Sequence, residues 1–588
     1  MTHQIRKNLG VTLGKHGADF RLWAPFATHV ALAGSFSDSQ IDLESDGEGY
    51  WHAQIASAEV GNTYRYLITT QDGRIIERND PRARAITASD NGFSVITDNS
   101  YEWQCRDFVP PPKEQQVIYE LHIGTFNRVD PATPGTFDTA IEKLDYLVDL
   151  GINMIELMPV TSMAFSNGWG YAPNYVFSVE SMLGGRHGLM KFIDACHVRG
   201  IGVILDVVYN HFYPDTDLWQ FDGWSENKRG GIYFYNDERG DTPWGGRPDY
   251  GRPEVRQFIL DNVTMWLTEY QLDGLRVDST IYMRNTNGRN DDPVADIPDA
   301  WTLLQDITTL AHHINASAII IAEDCAANEY ITKSRQNNGL EFDAQWELGF
   351  PHAIRSALML GDQTTPDLSG VKYELSHTYG GSIFEKIIFS DSHDTAANGS
   401  VRLNEAASPD QPGSLIARQK ALLASAVTFT SPGIPMVLQG SEFLQEGAFN
   451  DWQQLEWNNT SRFLGFVEAH RHLINLRLNK YGNTDGLSGE NTELIHHDAT
   501  NGVLVYHRWK NDDNGNSTVI IVNFSSHSFD EYFLPLPSPG TWTVRFNSTW
   551  QGYSPEFAGL DLPFVKAEDN NAAAISLAPY CVFILSKD

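Results

Sequence analysis

Cysteine is scarce in this sequence, and the few that occur are far apart. The 588 residues include only Cys105, Cys196, Cys325 and Cys581. No two of them form a C-x-x-C pair or another spacing typical of a zinc site, and so few cysteines argue against a disulfide-stapled secreted domain. We therefore expect reduced thiols and a cytoplasmic protein.

Basic residues are also few relative to acidic ones. The chain has 42 Lys plus Arg against 75 Asp plus Glu, which gives a formal net charge of −33. A net charge of this sign repels phosphate backbones and anionic lipid surfaces, so neither a nucleic acid nor a membrane is an expected partner. A neutral substrate is compatible with this charge.

Long apolar runs are absent as well. No stretch approaches the roughly 18 consecutive apolar residues of a membrane-spanning helix. The first ten residues, MTHQIRKNLG, lack the apolar segment of a signal peptide. A chain of this length exceeds what one hydrophobic core usually organises, so the sequence predicts a soluble, unexported protein of several domains.

Short β-prone segments make up the first hundred residues. FRLWAP, HVALAGSF, YWHAQI and YRYLIT alternate with turn residues, which is the pattern of an immunoglobulin-like β-sandwich. The segment PPPKEQQ, which begins at residue 110, favours extended backbone and a domain boundary. We therefore assign residues 1–108 to an N-terminal β-sandwich.

A repeated order of apolar strand, polar loop and amphipathic helix follows. The strand candidates are VIYELHIGTF, INMIELMPV, GIGVILDVVYNH, LDGLRVDS, AIIIAED, GLEFDAQW, EKIIFSDSHD and GIPMVLQGSEF. Eight such units favour a central (β/α)8 TIM barrel, here residues 109–485, over an open doubly wound sheet, because no G-x-G-x-x-G turn follows the first strand. Runs such as GVLVYHRW and STVIIVNF then indicate a C-terminal all-β domain over residues 486–588.

Polar side chains close four of the predicted barrel strands, at the end where barrels of this kind carry their chemistry. They are Asp206, Asn210 and His211 on the third strand, Arg276 and Asp278 on the fourth, Glu323 and Asp324 on the fifth, and Ser392, His393 and Asp394 on the seventh. Any one acid is most simply a loop cap or an ion-pair partner. Several acids at one barrel mouth repel each other unless they bind a metal or perform carboxylate catalysis.

Two of these acids have settings that suit the cleavage of a glycosidic bond. Arg276 and Asp278 are two residues apart, so strand alternation places them on one face, where the cation keeps the carboxylate ionised. Glu323 follows four apolar residues, which suits a proton donor with a raised pKa. Two such carboxyl groups about 5 to 5.5 Å apart predict a covalent glycosyl-enzyme and retained stereochemistry. Metal binding is the alternative for His211, His393 and the acids, but their spacing offers no H-x-H or H-E-x-x-H pair.

The segments DVVYNH, GLRVDS, IIAED and SDSHD resemble, in order, the four signature segments of the α-amylase family of glycoside hydrolases and transglycosylases. The resemblance covers nearly the whole chain and implies an α-glucan or maltooligosaccharide substrate. The catalytic residues that it implies are Asp278 as nucleophile, Glu323 as general acid/base and Asp394 as the third carboxylate, which grips sugar hydroxyls. The substrate-binding residues that it implies are Tyr171 as a stacking platform, Asp206 as support for Arg276, and His211 and His393 as hydrogen-bond donors.

Within the family, the N-terminal segments are similar to the carbohydrate-binding sandwich of glycogen branching and debranching enzymes and of maltooligosyl trehalose trehalohydrolases. YELHIGTF and DVVYNHF look most like the trehalohydrolases, whereas IAED and SDSHD look more like the branching enzymes. Ser279, Thr280 and the polar loop IYMRNTNGRNDDP that follows them depart from both groups.

The resemblance leaves the acceptor of the glycosyl group open. Transfer to the 6-hydroxyl of another glucan makes an α-1,6 branch, whereas water hydrolyses an α-1,4-glucan or maltooligosyl trehalose. Branching is our first hypothesis and hydrolysis the alternative. An inactive glucan-binding barrel would lack Asp278, Glu323 or Asp394, and all three are present. No metal or other cofactor is expected; calcium is the one candidate, because Asn210 lies where some members of the family place a ligand.

Overall fold

Two antiparallel sheets form the N-terminal part of the computed structural model, which describes residues 8–88, 92–98, 100–163, 168–359, 365–510 and 517–587. The strands are β1 (Gly10–Gly14), β2 (Gly17–Trp23), β3 (His29–Gly34), β4 (Ile41–Asp42), β5 (Glu44–Ser45), β6 (Tyr50–Ile55), β7 (Thr63–Thr69), β8 (Ile75–Arg78) and β9 (Ser94–Val95). One sheet has the order β1-β2-β6-β5 and the other β4-β3-β7-β8, with β9 beside β7. Alternate residues such as Phe20 and Leu22 are buried between the sheets, which makes this part a β-sandwich.

Eight parallel strands close into the barrel that the sequence predicts. The strands of this part are β10 (Ile118–Leu121), β11 (Met154–Leu157), β12 (Thr161–Met163), β13 (Pro173–Val179), β14 (Gly202–Val207), β15 (Gly274–Val277), β16 (Ile319–Ala322), β17 (Ala344–Trp346), β18 (Lys386–Ile388) and β19 (Ile434–Leu438). Strands β12 and β13 form a separate hairpin, and β19 pairs back with β10 to close the barrel. Because β14, β15 and β16 are buried at every position, their sequences are nearly continuous in apolar residues.

Amphipathic helices surround the barrel. They are α1 (Ile123–Phe126), α2 (Phe137–Ile141), α3 (Leu144–Leu150), α4 (Gly185–Val198), α5 (Pro253–Thr268), α6 (Thr280–Arg284), α7 (Pro298–Ile314), α8 (Gly349–Met359), α9 (Ser369–Ser376), α10 (Leu403–Ala407), α11 (Leu415–Thr430), α12 (Asn459–Arg462) and α13 (Leu464–Arg477). In α7, residues Leu303, Leu304 and Ile307 are buried at the three- and four-residue spacing of one helix face. Among the described residues, no helix is long and apolar enough to cross a membrane.

A single antiparallel sheet ends the chain. Its strands are β20 (Asn491–Asp498), β21 (Val503–Trp509), β22 (Thr518–Asn523), β23 (Phe529–Pro535), β24 (Gly540–Asn547), β25 (Phe564–Ala567), β26 (Ala572–Leu577) and β27 (Cys581–Ser586). Arg508 of β21 is fully buried and donates a hydrogen bond of 2.9 Å to the carbonyl oxygen of Thr430, which ties the sheet to the end of α11. The predicted combination of N-terminal β-sandwich, TIM barrel and C-terminal all-β domain is confirmed.

A carboxylate between two arginines joins the N-terminal part to the barrel. Glu269, just after α5, accepts from Arg84 Nη2 at 2.8 Å and from Arg186 Nη1 at 3.0 Å. Burial alone would raise the pKa of Glu269, but the hydrogen bonds and charge of Arg84, with the charge of Arg186, lower it below its ordinary value. The contact therefore holds an ionised carboxylate at a domain junction.

Replacing Glu269 by Gln tests this contact. Glu269→Gln keeps the shape but removes the charge, so we expect the free energy of unfolding at pH 7 to fall by about 2 kcal/mol. Because the folded protein lowers the pKa of Glu269, its stabilisation is present above the pKa of an unfolded Glu and disappears as the pH falls through the lower folded value. Denaturant unfolding at pH 7 and below about pH 4 measures both effects, and the difference from wild type is expected to shrink in acid.

The matched control for Glu269→Gln is Glu329→Gln, which breaks a half-exposed pair with Lys333 four residues away. We expect that change to cost less than about 0.5 kcal/mol, because exposed ion pairs contribute little. Equal losses in the two variants would contradict a structural role for the Glu269 contact.

Candidate active site

A pocket of about 790 Å³ opens at the carboxyl ends of the barrel strands. The predicted site residues that line it are Tyr171, His211, Asp278, Glu323, His393 and Asp394. The other two, Asp206 and Arg276, are buried in β14 and β15 beneath the pocket. The structure thus brings all eight predicted residues together.

Arg276 lies at the centre of the pocket floor. Its Nη1 atom is 2.5 Å from Asp206 Oδ2 and 2.9 Å from Asp278 Oδ1, and its Nη2 atom is 2.9 Å from Glu323 Oε2. Asp206 and Arg276 are direct partners in the register of β14 and β15, so their side chains leave the two strands side by side. The guanidinium is fully buried and its carbon lies 4.3 Å from the ring centroid of Trp346. One cation therefore contacts three carboxyl groups.

A chain of hydrogen bonds orients Asp278 from the side of β14. Asn210 Nδ2 donates to Asp278 Oδ2 at 2.6 Å and to its carbonyl oxygen at 3.0 Å. Asn210 Oδ1 lies 2.6 Å from Nδ1 of His211, whose Nε2 lies 2.8 Å from the carbonyl oxygen of Tyr171. These hydrogen bonds reach Asp206 as well, since the Tyr171 hydroxyl donates to Asp206 Oδ2 at 2.6 Å. Asn210 on Oδ2 and Arg276 on Oδ1 together hold both oxygens of Asp278 in place.

Glu323 lies in a more polar setting than its sequence neighbours indicate. The backbone N–H of Ser279 donates to Glu323 Oε2 at 2.8 Å, and Cys325 Sγ lies 3.4 Å from Oε1. Burial alone would raise the pKa of Glu323, but Arg276 and the Ser279 N–H outweigh burial and lower it. The expectation of a raised pKa from the apolar residues before Glu323 is wrong, because donors from β15 reach its carboxyl group.

Asp278 shows the opposite shift. Burial raises the pKa of Asp278 well above its ordinary range, and the negative charge of Glu323 raises it further. Burial also raises the pKa of Asp206. Three carboxyl groups around one guanidinium in a buried site cannot all be ionised at low cost. The floor therefore favours a proton shared among these carboxyl groups.

His393 and Asp394 follow β18 at the opposite side of the pocket. His393 Nδ1 lies 2.5 Å from Glu120 Oε1, and its Nε2 lies 3.5 Å from Asp394 Oδ1. Burial alone would lower the pKa of His393, but the charges of Asp394 and Glu120 outweigh burial and raise it to about 9. The side chain of Asp394 is 41% exposed toward the pocket mouth. A cationic donor and an accessible carboxylate are therefore available to sugar hydroxyls.

Aromatic rings form part of the pocket wall. The Tyr171 ring stacks on the His393 ring at a centroid distance of 5.2 Å and an angle of 18°. Trp169 and Trp244 also line the pocket, and Trp244 lies 5.6 Å from His211, ring to ring. Flat apolar faces of this kind suit contact with sugar rings.

Several residues of the site were not predicted for their present contacts. Glu120 is an acid inside the apolar segment VIYELHIGTF, and that position was its only sequence signal. The sequence places Asn210 at the end of a barrel strand and makes it a candidate calcium ligand, but its hydrogen bond to Asp278 is not predicted. Trp169 and Trp244 lie in loops whose position depends on contacts distant in sequence. Within the described residues, no group of three or more His, Cys, Asp or Glu side chains is arranged to hold a metal ion.

Sequence models of three families match the chain. The family described as "Alpha amylase, catalytic domain" matches residues 121–246 and 222–463. "Carbohydrate-binding module 48 (Isoamylase N-terminal domain)" matches residues 8–83, and "Alpha amylase, C-terminal all-beta domain" matches residues 494–588. The matches follow the order of sandwich, barrel and final sheet in the structure.

Known proteins are similar to most of this chain. A malto-oligosyltrehalose trehalohydrolase from Saccharolobus solfataricus is 30% identical over 75% of this chain and 76% of its own length. A 1,4-alpha-glucan branching enzyme GlgB from Corynebacterium jeikeium is 28% identical over 93% of this chain and 78% of its own length. A putative alpha amylase from Salmonella typhimurium, 22% identical, superposes with a TM-score of 0.75 over 99% of this chain and all of its own, which supports the fold. The chain is therefore a member of the α-amylase family of glycosidases and transglycosylases.

Proposed function

We propose that this protein is a retaining enzyme that cleaves α-1,4-glucosidic bonds with Asp278 as nucleophile and Glu323 as general acid/base, and that it transfers the released chain to a 6-hydroxyl group. The observation that carries the proposal is the pair of carboxyl groups, on neighbouring strands, that contact one buried guanidinium at the floor of the pocket. The substrate is an α-glucan or a maltooligosaccharide.

The first step breaks the glycosidic bond. An oxygen of ionised Asp278 bonds to the anomeric carbon, while Glu323 gives its proton to the departing glycosidic oxygen. The positive charge that develops at the anomeric carbon favours ionised Asp278, and the departing oxygen favours a proton on Glu323. Cleavage thus requires the shared proton to lie on Glu323 while Asp278 is ionised. Arg276, in contact with both groups, stabilises either charge distribution.

The second step releases the glycosyl group. Glu323, now a carboxylate, takes the proton of the acceptor hydroxyl, and the acceptor oxygen displaces Asp278 from the anomeric carbon. A 6-hydroxyl of another glucan gives an α-1,6 branch, and water gives hydrolysis. Neither step uses a metal ion or another cofactor.

The remaining predicted residues bind the sugar or support the groups at the pocket floor. We assign Asp394 to sugar hydroxyls, because its exposed carboxylate lies beside the cationic His393. His211, whose pKa burial lowers to about 4, acts as a neutral hydrogen-bonding group. Tyr171 provides a ring face, and Asp206 holds Arg276.

Transfer is the first choice of reaction because branching enzymes match almost the full chain, including both β domains. Hydrolysis of α-1,4-glucans or of maltooligosyl trehalose is the second candidate, favoured by the relative of 30% identity. Both candidates use the same cleavage step.

Substitution of the two carboxyl groups separates their roles. Asp278→Asn and Glu323→Gln are each expected to lower turnover of maltooligosaccharides by about 10³-fold or more. With an α-maltosyl fluoride, whose leaving group needs no proton, Glu323→Gln is expected to accumulate a glycosyl ester on Asp278, whereas Asp278→Asn forms none. Intact-protein mass spectrometry measures the adduct. Near wild-type turnover in either variant, or an adduct in Asp278→Asn, would refute the assignment.

The pH dependence of adduct formation reports the interaction between the two acids. Because the charge of Glu323 raises the pKa of Asp278, Glu323→Gln removes that contribution and is expected to lower the pKa of Asp278. Adduct formation needs ionised Asp278, so its acid limb is expected to lie at lower pH in Glu323→Gln than in wild-type protein. Stopped-flow release of fluoride across the acid range measures both profiles. An unchanged or higher midpoint would contradict the electrostatic interaction between the two groups.

The acceptor is identified by the linkages in the product. We expect amylose to gain α-1,6 anomeric proton signals in NMR spectra without a matching rise in reducing ends. A rise in reducing ends alone would replace branching by hydrolysis of α-1,4-glucans. Release of free trehalose from maltooligosyl trehalose, with no new linkages in amylose, would establish the trehalohydrolase alternative.

A further inference from the structure

The outer wall of the pocket is formed by the polar loop whose sequence departs from both the trehalohydrolases and the branching enzymes. The loop follows α6 and runs to residue 297, where α7 begins at Pro298. The residues of this wall are Tyr282, Gly288, Arg289, Asn290 and Asp291, and the segment just after Glu323 provides Cys325 and Ala326. The outer part of the pocket is therefore bounded by this loop and by the residues next to the acid/base.

A buried ion pair connects these two parts of the wall. Arg284, the last residue of α6, places Nε 2.8 Å from Asp324 Oδ2 and Nη2 2.6 Å from Asp324 Oδ1. The side chain of Asp324 is fully buried and that of Arg284 is 6% exposed. Thr280 Oγ1 donates to Asp324 Oδ2 at 2.9 Å. A two-bond contact of a planar guanidinium with a carboxylate fixes direction as well as distance.

Asn290 extends this contact into the loop. Arg284 Nη2 donates to Asn290 Oδ1, and Asn290 Nδ2 donates to the carbonyl oxygen of Ala326 at 2.7 Å. Asn290 as a whole is an exposed residue. A single amide side chain thus spans from the loop to the segment that carries Glu323.

The loop is held in one conformation by its own contacts. Asn285 Nδ2 donates to the carbonyl oxygen of Asp292 at 2.8 Å and to Asp296 Oδ1 at 2.9 Å. Gly288 has φ +63°, and a Cβ atom there would lie 2.5 Å from the Tyr282 ring, so the close approach of loop and ring requires glycine. The Tyr282 ring in turn meets Trp244 edge to face at 4.9 Å. The wall therefore presents a fixed surface with an aromatic end.

We propose that the network of Arg284, Asp324 and Asn290 positions this wall as the binding site for the sugar on the leaving-group and acceptor side of the cleaved bond. The proposal rests on the proposed cleavage by Asp278 and Glu323, but not on whether water or a glucan accepts the chain. Arg284 and Asp324 act through Asn290 and Ala326 and are therefore positioning residues, whereas Asn290 also lines the pocket itself. Asp324 follows Glu323 directly in the sequence, so the residue that holds the wall is next to the proton donor.

A comparison of two donors tests the proposal. A maltooligosaccharide leaves a sugar at this wall, whereas α-maltosyl fluoride leaves only fluoride. Asn290→Ala is expected to lower kcat/KM for the maltooligosaccharide by about ten- to hundredfold, since misplacement of a binding surface costs this much. For α-maltosyl fluoride, measured with water as acceptor, the same variant is expected to lower kcat/KM much less. The fold-loss for the fluoride should be smaller than that for the oligosaccharide by about fivefold or more.

Asn287→Ala is the matched control. Asn287 lies in the same loop and donates to Asp292 Oδ2 at 2.8 Å, but it does not line the pocket. We expect it to change either kcat/KM by less than about twofold.

Arg284→Lys is the second test variant. It keeps the charge but loses the two-bond contact with Asp324, so we again expect kcat/KM to fall more for the oligosaccharide than for the fluoride. Circular dichroism and thermal unfolding confirm that each variant is folded.

The outcomes separate the inference from the proposed function. Equal losses with both donors, or no loss with either, would overturn the positioning role while leaving the cleavage mechanism in place. Wild-type protein that acts on neither donor would refute the proposed cleavage, and the wall would then have no leaving sugar to bind. A loss confined to the oligosaccharide in Asn290→Ala and Arg284→Lys, and absent in Asn287→Ala, supports the proposal.

Discussion

The buried guanidinium of Arg276 is the charge on which the pocket floor depends. The guanidinium has no solvent-exposed surface and does not lose its proton, so nearby carboxylates are needed to offset the cost of burying it. Asp206, Asp278 and Glu323 all contact it. Three ionised carboxylates would carry more negative charge than one guanidinium balances, and a proton retained on one of them reduces that excess. The pairing that makes a buried arginine tolerable therefore also supplies the proton that acid/base chemistry needs.

The positions of these groups follow from the pairing of the barrel strands. The parallel register sets Asp206 beside Arg276, and the turn after β15 brings the Ser279 N–H to Glu323 on the next strand. On the far side, Glu120 of β10 holds His393, which follows β18. Each polar group at the floor is thus held by a partner from another strand, so the closed barrel keeps their mutual distances fixed.

The sequence predicts the fold well because its signals are local. Short, mostly apolar segments mark the buried barrel strands, and alternation marks the two β domains, so the order of elements can be derived without tertiary contacts. Acids at the strand ends are also visible, and the barrel geometry alone brings them to one mouth. The predicted site residues Asp278, Glu323 and Asp394 come from this reasoning together with the four-segment resemblance.

The environment of each acid was harder to predict, because it depends on neighbouring strands. Four apolar residues precede Glu323, yet its carboxyl group lies beside Arg276 and a backbone N–H of the adjacent turn. The same limit explains why the contacts of Glu120 and Asn210 were missed. Local sequence describes a strand, whereas a pKa depends on the charges and donors that other strands place around it.

Residues at strand ends are positioned by strand register, whereas loop residues are positioned by contacts distant in sequence. This difference bears on the choice of acceptor. The proposed cleavage groups, Asp278 and Glu323, directly follow strands whose register leaves little freedom, so two enzymes with the same floor can still differ in the molecule that accepts the glycosyl group. That difference then has to arise in the loops above the floor, and in this chain the loop after α6 is tied to the floor through Asp324. A buried carboxylate next to the proton donor keeps the acceptor wall at a constant position relative to Glu323. An acceptor hydroxyl competes with water only if it is held within reach of that carboxyl group when the glycosyl-enzyme forms. The acceptor preference of this site is therefore governed by how rigidly the wall is held as well as by which side chains it presents.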